Sequence, residues 1–250
     1  MFIDTHCHLS KDDYDDIEQV LEDNRKVGVS PIIISGCTRE SILESLEYGK
    51  MYSDVFVTIG YHPSEASITT EEDLKLLEDQ LQLKFVIGVG EIGLDYHYGK
   101  EDKEKQIILF EKQLALAEKY QLPVVIHSRD ATLDTISILK KHSVTGVIHC
   151  FSGSYETALE YIKMGFILGI GGVVTFKNSK LGDVVSKIPI EKIVLETDSP
   201  YLTPTPYRGE VNSSKYIPLI AEKIASCKEI SIEEVARITT DNAKRIFHLD

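Results

Sequence analysis

Eight short apolar runs rich in β-branched residues recur along the chain, and longer amphipathic stretches separate them. The runs are Phe2 to Thr5, Pro31 to Ile34, Val55 to Ile59, Phe85 to Val89, Pro123 to Ile126, Val144 to Ile148, Phe166 to Ile170 and Ile193 to Leu195. Runs this short and this β-branched predict strands, and the intervening stretches carry helix signals. Thr69 with Glu72 and Ser231 with Glu234 predict capping boxes. Ile107, Phe110, Leu114 and Ala117 fall on one helical face. Strands alternating with helices predict an α/β fold, a (β/α)8 TIM barrel, with the tail after Pro218 forming helices that close it. No linker, repeat or low-complexity segment divides the sequence, so residues 1–250 are expected to form a single domain.

Six residues of metal-ligating type stand where apolar runs give way to polar or glycine-containing sequence: His6, His8, Glu91, His127, His149 and Asp198. The C-terminal ends of barrel strands share one mouth, which would make neighbours of residues about 190 positions apart. In His6-Cys7-His8 the period of two sends both imidazoles to one face, although the motif alone is weak. Its weight comes from Glu91 in GVGEIGLDY, His127 in PVVIHSRD, His149 in GVIHCFSG and Asp198 in IVLETDSPYL. Four imidazoles and two carboxylates form a nitrogen and oxygen set suited to Zn, Mn, Mg or similar ions. The set accommodates two divalent ions about 3.5–4 Å apart with Glu91 as a bridge, an arrangement that activates water. The competing reading is a barrel-top hydrogen-bond network without metal.

Composition narrows the class. With 250 residues and 42% hydrophobic content the chain can bury a full core. The opening MFIDTHCHLS lacks the character of a signal peptide, and Met164 to Val174 is too short and glycine-rich to span a bilayer. A cytoplasmic protein without membrane association is expected, and nothing implies an obligate protein partner. Four scattered cysteines, Cys7, Cys37, Cys150 and Cys227, argue against a disulfide framework or thiolate zinc site. Cys7 and Cys150 adjoin proposed ligands but face the other way by strand parity, which predicts packing behind the site. A net charge of -13 argues against tight nonspecific binding along nucleic acid.

Other residues carry smaller expectations. Gly88, Gly90 and Gly93 spell a dinucleotide fingerprint, but LDYHYGK continues as loop instead of opening a helix, and Glu91 would repel phosphate. Gly169, Gly171 and Gly172, with Lys177 nearby, either hold phosphate on backbone N–H groups or permit close packing. Glu196 supports the site or pairs with a buried cation. His62 in GYHP contacts substrate or shapes a turn. Arg129 either holds phosphate or is a loop residue, and Asp130 is a candidate helix cap. Asp4 reads as an internal structural acid.

Together IDTHCHL, GYHP, GEIGLDY, PVVIHSRDA, IHCFSG, ETDSPYL and TTDNAKRIF resemble, in order and over essentially the full length, the TatD-type metal-dependent DNases related to the amidohydrolases. The resemblance implies the same barrel, divalent metals on the six residues above, and phosphodiester hydrolysis that removes nucleotides from DNA ends. Metal-activated water would attack phosphorus, with Asp198 orienting it or accepting its proton. Some relatives resemble D-aminoacyl-tRNA deacylases, so ester or amide hydrolysis, including a lactonase-like reaction, is the alternative; a noncatalytic metal scaffold is a third reading. The chain departs from the family at RGEVNSS, where Glu210 and Val211 replace two basic positions, which puts nucleic-acid affinity in doubt. Arg208, a candidate substrate contact, is retained with Gly209 and Asn212.

Overall fold

The computed structural model describes residues 1–249. Every apolar run contributes a strand: β1 Phe2–Cys7, β2 Val29–Gly36, β3 Val55–Ile59, β4 Val86–Asp95, β5 Val124–Arg129, β6 Gly146–Ile148, β7 Ile167–Ile170 and β8 Ile193–Leu195. Between and after them run α1 Ile17–Lys26, α2 Arg39–Met51, α3 Glu71–Gln80, α4 Lys103–Tyr120, α5 Thr132–Leu139, α6 Tyr155–Lys163, α7 Leu181–Lys187, α8 Ile217–Lys228 and α9 Ile232–Phe247. The strands form one sheet in the order β1 to β8, and the registered pairs are parallel, which is the (β/α)8 barrel arrangement.

The chain divides into two compact units: Met1–Ile34 with the chain from Cys150 onward, and Ser35–His149. In the first, β1 pairs with β2 and β7 with β8, while the Thr5 hydroxyl donates to the Leu195 carbonyl to tie β1 to β8. The closing helices pack here, α8 and α9 both against β1 and β8. Asn242 of α9 donates to the carbonyls of Ile190 and Ile193, fixing the start of β8. In the second unit β3, β4, β5 and β6 pair in sequence, with Val57, Ile59, Val89, Ile92, Val124 and Ile126 fully buried.

Four strands, β1, β2, β4 and β5, run further than the apolar runs suggest. β4 continues through Glu91 to Asp95 because Ile92 and Leu94, both fully buried, extend the alternation that Glu91, Gly93 and Asp95 complete on the other parity. Its register with β5 shifts between Val89 and Ile92, then pairs Gly93 with His127 and Asp95 with Arg129. A side chain at Gly93 would collide with the His127 carbonyl, so this close approach requires glycine. His6, Glu91 and His127 therefore lie inside strands, His149 follows β6 directly, and Asp198 stands beyond β8.

The cap of α3 also moves. The Thr69 hydroxyl donates to the Glu65 carbonyl, leaving Thr70 to form the reciprocal capping box with Asp73 in place of the expected Thr69 and Glu72. Ser231 supplies its half of the expected box on α9, accepting from the Glu234 N–H. On α4 the buried face holds Phe110, Leu114 and Ala117, with Ile107 at its half-buried edge, but it also carries Gln106 and Gln113. Asp130 does not cap α5, which starts after Ala131 without a side-chain cap; it pairs with His97 at 3.0 Å. No disulfide joins the four cysteines, and buried Cys7 places its thiol against the Ile33 carbonyl.

Candidate metal centres

Each unit gathers its own cluster of imidazoles and carboxylates. In the first unit, His6 Nε2 and His8 Nε2 lie 3.4 Å apart, and Asp198 Oδ1 stands 3.8 Å from the former and 3.5 Å from the latter. The two rings meet edge to face, with centroids 5.0 Å apart. Two nitrogens and one carboxylate oxygen thus converge on one small volume.

Main-chain bonds hold this cluster. The N–H groups of Thr197 and Asp198 donate to the His6 carbonyl, and the His8 N–H donates to the Ser199 carbonyl at 2.7 Å. Asp198 adopts a left-handed backbone with φ of 56°, a conformation that Asp tolerates better than most residues. Buried Asn212 braces the segment by donating from Nδ2 to the carbonyls of Thr197 and Tyr201, at 2.9 and 2.5 Å. Asp4 proves to be the internal acid expected: it accepts from the N–H groups of His6 and Thr197 and from the Thr197 hydroxyl. Burial pushes its carboxyl up to about 7 against those hydrogen bonds.

In the second unit Glu91 is the hub. Its Oε1 lies 2.5 Å from His127 Nδ1, 3.7 Å from His149 Nε2 and 4.0 Å from His62 Nε2. On its far side His127 presents Nε2 to Asp95 Oδ2 at 3.2 Å. Burial pushes the His127 imidazole down, but the charge of Glu91 and hydrogen bonds to Asp95 and Glu91 overcome it and raise the group to about 9. Burial pushes Asp95 up in turn, and its bonds from His127 and the His97 N–H leave it below the usual carboxylate range.

The remaining expected residues are also placed. His62 shapes the turn, since Nδ1 accepts from the Ser64 N–H to cap a short 3-10 turn, and its Nε2 faces Glu91. Arg129 ends β5 and sets its guanidinium 5.5 Å from the ring centroid of exposed Tyr98. A side chain on Gly169 would collide with the Glu196 carboxylate, and one on Gly172 with the Leu202 carbonyl, so neither position has room for one; Gly171 is buried beside them. Glu196 is fully buried and accepts from the Cys150 N–H at 2.6 Å. Arg208 donates to the Thr203 carbonyl and lies 3.9 Å over the Phe176 ring. In the divergent segment Val211 is exposed, whereas Asn212 keeps its bracing role.

Asp95, Gln106 and Gln113 are absent from the sequence-based candidates. Parity held the signal for the first, because Glu91, Gly93 and Asp95 alternate along one strand. The two glutamines sit among the apolar positions of an ordinary helical stripe and carry no local signal.

A parallel α/β barrel with nitrogen and oxygen clusters of this kind suits a metal-dependent hydrolase, and the relatives of the chain are of that class. The family model described as TatD related DNase matches residues 3–248. The uncharacterized metal-dependent hydrolase YabD of Bacillus subtilis is 44% identical, covering 100% of both chains. The uncharacterized metal-dependent hydrolase YcfH of Escherichia coli K12 is 35% identical over 99% of this chain and 96% of its own. The crystal structure of YJJV, a TatD homolog from Escherichia coli K12, superimposes with a TM-score of 0.93 at 30% identity, covering 100% of this chain and 98% of that one. This chain belongs to the TatD family of metal-dependent hydrolases.

Proposed function

We propose that the chain, acting as one catalytic domain over residues 1–250, uses two divalent ions to hydrolyse phosphodiester bonds at DNA ends and release nucleotides. The observation that carries the reading is the donor chemistry of the two clusters. Each combines imidazole nitrogens with carboxylate oxygen, without thiolate, within 4.0 Å of its hub carboxylate. Such a set fits Zn, Mn, Mg or a similar ion. His6, His8 and Asp198 would hold one ion, and Glu91, with His127 and His149, would hold the other. When bound, the ions supply activation of water and compensation of charge on the phosphoryl group.

The chain's own groups do the rest. Asp198, whose Oδ1 faces both imidazoles of its cluster, orients the attacking water and takes its proton at Oδ2. His62, Arg129, Gly171 and Gly172 position the terminal phosphate, while Arg208 acts chiefly as a brace for its own loop. The family model's name supports DNA as substrate. The net charge of -13 favours gripping a strand end over tracking along a duplex groove.

The test is a substrate panel on protein of defined metal content: end-labelled single-stranded DNA, charged tRNA and simple lactones, each beside Glu91→Ala. Stepwise release of nucleotides by the wild type, lost in a folded Glu91→Ala protein, is expected. Turnover of the ester substrates without DNA would replace the reading, and wild-type rate in Glu91→Ala would remove Glu91 from it.

A further inference from the structure

We propose that Asp95 is a positioning residue that fixes His127 as an Nδ1 ligand, by accepting a hydrogen bond from the Nε2–H. This role rests on the reading that Glu91 and His127 hold a metal ion together.

A neutral imidazole carries one proton on one of two nitrogens, and only the other can bind metal. The structure distinguishes them. His127 Nδ1 faces Glu91 Oε1 at 2.5 Å, and Nε2 faces Asp95 Oδ2 at 3.2 Å, so the ring stands between two carboxylates with opposite assignments. Whichever nitrogen shares an ion with Glu91 must be Nδ1, which leaves the proton on Nε2. A carboxylate accepting the hydrogen bond from that N–H sets the tautomer, holds the ring plane and raises ligand basicity.

Asp95 is itself held from three sides. Its Oδ1 accepts from the His97 N–H at 2.8 Å, which commits the other oxygen to His127. Buried Gln106 of α4 grips its main chain, accepting from the Asp95 N–H and donating to the Asp95 carbonyl, both at 2.9 Å. The strand register places Gly93 directly beside His127, and the absence of a side chain there lets the two backbones close up. A relay therefore runs from α4 through Asp95 to the ring. His62, Asp95 and His127 also bring donor atoms within 4.8 Å of one another, so an ion of their own is the competing occupant.

The experiment measures Zn²⁺ and Co²⁺ affinity by chelator competition, with the number of sites, for wild type, Asp95→Asn, Asp95→Ala and His127→Ala. Histidine-selective 15N NMR of the Zn²⁺-loaded wild type reads which His127 nitrogen bears the proton. Expected are the same number of sites with affinity at one of them about 10- to 100-fold weaker in both Asp95 variants, and a proton on Nε2. Affinities within twofold of wild type, a proton on Nδ1, or a melting-temperature loss in the metal-free variants with affinity unchanged would overturn the role. So would complete loss of one ion in Asp95→Asn beside unchanged affinity at the other sites, which would assign Asp95 as a ligand. Wild-type affinity in His127→Ala would instead overturn the ligand reading beneath it, and this role with it.

Discussion

Gln113 holds Tyr61 by both main-chain groups: its Oε1 accepts from the Tyr61 N–H at 2.7 Å and its Nε2 donates to the Tyr61 carbonyl at 3.0 Å. Gln106 repeats this grip on Asp95 two helical turns earlier on the same face of α4. One helix thereby steadies the segments leading into His62 and out of Glu91. Gln113→Leu leaves two buried backbone groups without partners, so urea unfolding should show a loss on the order of 1–3 kcal/mol. An unchanged midpoint would show that water or a rearranged backbone replaces the clamp.

Asn212 performs the matching task in the first unit, bonding the carbonyls on either side of Asp198. Asn212→Ala should lower the melting temperature and weaken metal retention by the His6, His8 and Asp198 cluster. Metal content after graded chelator dialysis checks this, and retention equal to wild type would place the brace elsewhere.

The α3 cap supplies a pH signature away from the candidate metal clusters. The Thr70 hydroxyl and amide, together with Arg39, hold Asp73 below its ordinary value despite the opposing effect of burial. A carboxylate lowered in the folded state stabilises fully above its unfolded value near 4 and loses that contribution as pH falls through the folded one. Asp73→Asn should therefore be less stable than wild type at neutral pH, with the gap closing in acid. A gap independent of pH would mean that the capping geometry, and not the charge, matters.

Hydrolysis of single-stranded DNA should decline only modestly between about 50 and 200 mM salt, because an end-gripping acidic protein makes few phosphate contacts. A steep logarithmic slope in kcat/KM would indicate a basic track along the strand.

Removing divalent metal with a chelator should abolish hydrolysis of every substrate that Glu91→Ala fails to turn over, and added Mn²⁺ or Zn²⁺ should restore it. Activity persisting in demonstrably metal-free protein would overturn the hydrolytic role of both clusters.

All eight strands were legible because buried parallel strands read as continuous apolar runs. Their ends were less so. β4 alternates past Val89, and the polar parity that includes Glu91 made the strand look finished where it continues to Asp95. The helix cap slipped by one residue because adjacent threonines offer the same hydroxyl, and only the Thr69 bond to Glu65 separates them. His6, His8 and Asp198 come together as neighbours within one unit, and Glu91, His127 and His149 within the other. The groups that orient them were hidden, since Asn212 sits in a divergent loop and Gln106 and Gln113 lie within a helix, where the sequence records composition but not the distant backbone each side chain meets.

The bonds from Asp198 and Thr197 to His6 also carry a timetable. During synthesis the two N-terminal imidazoles leave the ribosome almost two hundred residues ahead of their carboxylate partner. On the proposed ligand set, a nascent chain would offer a cation the histidine pair well before its carboxylate, and capture by the complete cluster would belong to the last stage of maturation.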